Sequence, residues 1–202
     1  MSKSRLEAFT DAVIAIIMTI LVLGLKRPDS ADFAALWALR HAFLAYFISF
    51  ATLAIYWNNP HHLFQASEVV SGKILWWNIM ILFCLSMFPF TTAWVGDFLY
   101  SHTAETLYGI LMLLSSIGWL FLNRALLQEH REDSILSRSL SGSKKSVFFT
   151  IGIVSAGLII GWFWPPIVIL SCLISLIPWV IPYKQIEKRM RSESDCISCR
   201  KD

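Results

Sequence analysis

Arg5-Leu6-Glu7-Ala8-Phe9-Thr10-Asp11 runs without a break into Ala12-Val13-Ile14-Ala15-Ile16-Ile17-Met18-Thr19-Ile20-Leu21-Val22-Leu23. Charged residues fill the first two turns of this stretch, and an apolar run long enough to enter a bilayer follows. A charge at a membrane mouth is costly unless it is paired or hydrated. The helix is therefore expected to line something, with its charged start holding other helices in place. Lys3 and Arg5 ahead of an apolar run have the outline of a secretory signal. Asp11 inside the run, Lys26-Arg27-Pro28-Asp29 after it and the lack of a small-x-small cleavage pattern mark a retained span instead.

The chain of 202 residues is 15% charged, where a soluble domain carries about a quarter. That deficit, with repeated long apolar runs, places it among all-α polytopic membrane proteins. A bilayer crossing takes about 20 apolar residues, and six stretches are expected to cross: Ala8–Leu25, Phe33–Trp57, Ile74–Val95, Ala104–Leu127, Val147–Trp164 and Ile167–Ile181. The last is short and holds Pro178. It is separated from the fifth by an uncharged Pro165-Pro166 turn, so these two read as a tight hairpin. The serine-rich stretch from Gln128 to Lys145 reads as an exposed connector. Residues 1–183 form one transmembrane unit and 184–202 a basic tail.

Basic residues test this count. An even number of spans puts Lys3, Arg5, Lys73, Arg124, Arg131, Arg138, Lys144, Lys145 and the tail's Lys184, Lys188, Arg189, Arg191, Arg200 and Lys201 on one side. Only Lys26 and Arg27 lie on the other, and Arg40 falls within a span. The asymmetry predicts cytoplasmic N- and C-termini. Trp57, Trp76, Trp77, Trp94, Trp162, Trp164 and Trp179 fall near span ends, at headgroup depth. Arg40 fits best if the second span starts later, so that its head snorkels to water.

On a wheel of about 100° per residue, Ile16, Ile20 and Leu23 form a narrow stripe with Phe9 and Arg5 near its line. Thr19 flanks the stripe, while Asp11 points away from it, towards neighbouring helices. Spacing alone favours simple packing for this stripe. The Thr19 hydroxyl is expected to bond the carbonyl of Ala15. Asp11 needs a partner, and Arg5, Arg40, His41, His61 and His62 are the candidates. Adjacent histidines diverge by about 100° on a helix, so His61-His62 suits a hydrogen-bonded or pH-sensitive cluster better than a metal site with Asp11 and Glu7.

Cys196-Ile197-Ser198-Cys199 is half a zinc site, and Cys84 and Cys172 lie in apolar runs; free thiols are expected. No nucleotide, nucleophile-elbow or zinc-protease motif occurs, and no Thr-Val-Gly-Tyr-Gly filter. Neither an enzyme nor a nucleic-acid partner nor a cofactor is expected.

Arg5-x-x-x-Phe9-Thr10-Asp11 resembles the Arg-x-x-x-Phe-Ser-Asp signature of the lysosomal potassium channel family (transmembrane protein 175) and its bacterial relatives. Tyr56-Trp57 with His61-His62, and Pro89-Phe90-Thr91-Thr92, are similar to further family motifs. Thr10 departs from the usual serine but keeps a hydroxyl, and Pro60 alters the approach to the histidine pair. Bacterial members have six spans and assemble as tetramers, and the resemblance implies a homotetramer in the lipid bilayer conducting monovalent cations. Their first helices surround the ion path. The resemblance makes Ile16 the narrowest ring, Ile20 and Leu23 further apolar rings, and Thr19 a hydroxyl layer, with potassium passing transiently near Ile16 and Thr19. Arg5, Phe9, Thr10, Asp11, Trp57, His61 and His62 are implied as the network that seats this helix. The expected function is a potassium-preferring channel with a hydrophobic gate. A secondary transporter, with its site at midmembrane, and a non-conducting membrane scaffold are the rivals.

Overall fold

A computed structural model describes the backbone over residues 3–65, 71–129 and 134–179, and the side chains over 4–58, 71–128 and 144–179. Among the described residues the chain is entirely helical: α1 (Lys3–Leu23), α2 (Phe33–Ala38), α3 (Arg40–Gln65), α4 (Gly72–Ser86), α5 (Phe88–Asp97), α6 (His102–Glu129), α7 (Ser134–Gly161) and α8 (Ile167–Ser175). Four segments are long and apolar enough to cross a membrane, namely Ser4–Leu23, Gly72–Asp97, His102–Gln128 and Lys144–Gly161. The second expected span, α3, has the length at 26 residues, but Arg40, His41 and Asn58 dilute its apolar character. The sixth is the shortest, an apolar helix over Ile167–Trp179. The tail lies outside the described residues.

The boundaries differ from the expected ones in four places, each with a physical reason. The second span is two helices. Asp32 caps α2 by accepting the Ala35 N–H at 2.8 Å, and the chain breaks at Leu39. Arg40 thus begins α3, where its guanidinium donates to the Trp37 carbonyl at 3.2 Å and lies 6.0 Å from the Trp37 ring. This is the later start that its charge demanded. At its other end α3 continues past Trp57 to Gln65, through Pro60, although proline supplies no N–H to the ladder.

The third span is also two helices, with α4 ending at Ser86 and α5 starting at Phe88 with Pro89 in its first turn. Proline fits a helix start and breaks an interior. The Thr91 hydroxyl bonds the Met87 and Phe88 carbonyls, each at 3.2 Å, on the α5 side of the break. The expected connector from Gln128 to Lys145 is mostly helix, because α7 starts at Ser134. Ile135, Leu136 and Leu140 keep helical spacing through its serines.

α6 is the hub of the bundle. It packs on α4, α5, α7 and α8, while α1 packs on α3, α4 and α5. The buried share of the apolar window falls from 61% in α6 to 28% in α1. Trp119 and Tyr108, the largest fully buried side chains, both belong to α6. Tyr56 of α3 meets Trp119 edge-on at 5.9 Å. Without a hydrophobic force between helices in lipid, close contact depends on small residues and on hydrogen bonds. Gly157-x-x-x-Gly161 supplies the first for the α7–α8 hairpin. A Cβ on Gly161 meets Val168 at 2.5 Å, and one on Gly157 overlaps Ser171.

Hydrogen bonds supply the rest. Ser49 of α3 bonds Thr92 of α5 at 2.7 Å and Tyr108 of α6 at 2.8 Å, joining three helices in the core. Pro166 at the start of α8 has no side-chain acceptor. Glu105, fully buried in the first turn of α6, takes its place by accepting the Ile169 N–H at 3.1 Å. Its second oxygen has no partner among the described residues.

Candidate pore helix and its supports

α1 divides into two faces. Leu6, Thr10, Ile14, Ile17 and Leu21 are buried, and at about 100° per residue they occupy an arc of roughly 80°. Arg5, Phe9, Asp11, Ile16, Thr19, Ile20 and Leu23 are exposed on the single chain, across an arc of roughly 180°. The exposed fraction is 57% at Ile16, 46% at Ile20 and 80% at Leu23. The Phe9–Ile16–Ile20–Leu23 stripe therefore lies away from the rest of its own subunit. Intramolecular packing, the reading that spacing alone favoured, does not account for it.

Asp11 lies on the opposite flank of the exposed arc. The sequence reading turned it towards neighbouring helices, but in the single chain it is exposed. Among the described residues neither it nor Arg5 forms an ion pair. The ion pair present is Lys26 to Asp97 at 2.6 Å, joining the far ends of α1 and α5. Trp57 is 52% exposed. His61 and His62 fall within α3, but their side chains lie outside the described residues. Of the five seat residues whose side chains are described, Thr10 is the one with a side-chain hydrogen bond to another helix.

That bond involves a residue the motif reading missed. Thr10 donates to the Leu6 carbonyl at 2.9 Å and accepts from the Asn78 amide of α4 at 2.8 Å, both residues being buried. A lone asparagine in the apolar run Ile74–Val95 was the available signal, since a polar side chain at that depth needs a partner. Glu105 carried a similar signal at the start of the fourth stretch. The Thr19 hydroxyl bonds the Ile16 carbonyl at 2.7 Å, one residue off the expected Ala15 carbonyl. Its oxygen stays on the exposed face. Among the described residues no three His, Cys, Asp or Glu side chains gather as a metal site.

The family profile described as endosomal/lysosomal potassium channel TMEM175 matches residues 5–89, from the signature arginine to the start of α5. A potassium channel of Chryseobacterium sp. strain P1-3 is 39% identical over 195 residues, covering 95% of this chain and 99% of that one. A potassium channel of Streptomyces collinus is 30% identical over 125 residues, covering 58% of this chain and 61% of the other. Among solved structures, a lysosomal potassium-selective channel TMEM175 homolog from Chamaesiphon minutus shares the fold at a TM-score of 0.66 and 24% identity, over 88% of this chain and 97% of that one. A 39% identical relative matched from end to end, with the family profile beginning on Arg5, shows that this chain belongs to the TMEM175 channel family.

Proposed function

We propose that this chain is one subunit of a homotetrameric, potassium-preferring cation channel in the bacterial inner membrane, with both termini cytoplasmic and with α1 lining the pore. The observation that carries the reading is the burial pattern of α1. This apolar helix is only 28% buried over its window, and it turns Ile16, Ile20 and Leu23 out of the subunit on one stripe beside Thr19. Its opposite face is fixed by Leu6, Ile14 and Leu21. Potassium channel names on relatives matched along the chain support the ion.

Four isoleucines brought together at one level close a path sterically and by dewetting. When the ring widens, partly dehydrated cations pass Ile16, and the Thr19 oxygens replace some of their water. Such a filter discriminates less sharply than a stack of carbonyl cages, so the preference for potassium over sodium is modest. No catalytic step or cofactor is involved. Residues 1–183 form the conducting unit, and the 184–202 tail is a cytoplasmic appendage. In the tetramer Arg5, Phe9 and Asp11 meet neighbouring helices, with Trp57, His61 and His62 completing the seat of α1.

Potassium flux into liposomes containing the purified protein tests the reading. Flux that rises nearly linearly with concentration is expected. Flux that saturates steeply would mark a carrier, to which the broken α4–α5 span gives some support. No flux at all would leave a scaffold.

A further inference from the structure

We infer that the groove between the start of α4 and the end of α6 is a binding site for an anionic phospholipid, its phosphate headgroup held by Lys73 and Arg124. The groove has a volume of about 750 Å³ and is lined by Ser71, Lys73, Trp76, Trp77 and Gln128 among others. Gly72 begins one apolar span and Gln128 ends the next, so the opening sits where hydrocarbon gives way to water. Trp77 stacks on Phe121 with ring centres 4.5 Å apart and planes 10° apart. Arg124 lies 5.6 Å from the other aromatic of that stack, Phe121. Arg124 thereby stands beside the groove rather than in its lining, over the ring that stacks on the lining residue Trp77.

Lys73 and Arg124 are exposed, no carboxylate lines the groove among the described residues, and Lys144 and Lys145 open the next span at the same depth. Basic pockets between spans at this depth suit acidic headgroups. A free phosphate would use only the charged rim. Below it, however, Trp76, Met80 and Phe83 descend one face of α4 with exposures of 71%, 52% and 63%. That apolar track fits an acyl chain running down from the headgroup, and it assigns the site to a lipid. The site does not depend on whether the protein conducts.

Native mass spectrometry of the full chain titrated with phosphatidylglycerol or phosphatidylcholine tests this. The wild type is expected to retain phosphatidylglycerol in preference to phosphatidylcholine. The Lys73→Ala/Arg124→Ala variant should weaken phosphatidylglycerol binding roughly thirtyfold, from about a fivefold share per basic residue, and leave phosphatidylcholine binding unchanged. Lys73→Arg should restore most of the binding lost in Lys73→Ala, and Trp76→Ala should weaken both lipids. Unchanged phosphatidylglycerol binding in the double variant overturns the site. So does equal retention of the two lipids, or displacement of phosphatidylglycerol by inorganic phosphate. Both charged positions are exposed, and matching unfolding curves of variant and wild type in detergent verify that the fold is intact.

Discussion

At the residue scale, the Thr10–Asn78 hydrogen bond ties the charged end of α1 to α4. Thr10→Val removes the acceptor and strands the Asn78 amide in the core. A loss of about 1–2 kcal/mol is expected, read from unfolding in detergent. The Thr10→Val/Asn78→Leu pair should recover part of it, because two apolar groups leave nothing unsatisfied. Equal losses for single and double variants would count against the bond. Asp11 differs: it is exposed on the single chain, and the proposed tetramer gives it a role in assembly. Asp11→Ala should lower the yield of tetramer on size-exclusion chromatography while leaving the helix content of the monomer unchanged. Normal tetramer yield would remove Asp11 from the seat of α1. The signature residues were legible as a motif, but what each one touches was not. A wheel gives directions around one helix and says nothing of which neighbour stands there, so Asn78 escaped notice although it sits in plain view within an apolar run.

At the element scale, helices end where their backbone groups find other partners, and two such ends are testable. α8 begins on Pro166 and borrows its cap from Glu105 on α6. Glu105→Ala leaves a buried Ile169 N–H unsatisfied and should cost about 1–3 kcal/mol. Glu105→Gln keeps an acceptor and should cost less. Equal losses would mean that the cap contributes nothing. At α2, Asp32 accepts the Ala35 N–H, and this bond holds its carboxyl below the ordinary value of 3.8. A lowered carboxyl pKa stabilises the folded helix above the unfolded value and loses that contribution as pH falls through the folded one. Trp37 fluorescence should therefore report loosening of α2 only below pH 3.8. Asp32→Ala should abolish that transition, and a transition that persists in the variant would assign it elsewhere. The six apolar stretches were legible from hydropathy. The breaks at Leu39 and Met87, and the run of α7 through a serine-rich segment, were not. Hydropathy averages over about 20 residues and blurs a one-residue break, and serine content alone does not stop a helix that keeps apolar spacing.

At the scale of the whole molecule, burial is distributed unevenly, from 61% of the apolar window in α6 to 33% in α7 and 28% in α1. α6 is enclosed by four helices, whereas α1 packs on three and leaves Ile16, Ile20 and Leu23 uncovered. Charge placement set an expectation of sidedness, and the Arg5–Asp11 signature pointed to the family that the comparisons show. Neither showed which face of α1 was free; that required the packing of Leu6, Ile14, Ile17 and Leu21 against the bundle. The free face makes this apolar stripe a candidate pore wall. The central claim is that Ile16 is the narrowest point of that wall. Single-channel recording of wild type and Ile16→Asn in reconstituted bilayers, in potassium and then in sodium, tests it most directly. The account predicts a several-fold rise in leak conductance for the variant, because a polar ring wets a constriction that an apolar one keeps dry, together with a weaker preference for potassium. Wild-type conductance and ion preference in the variant would contradict it.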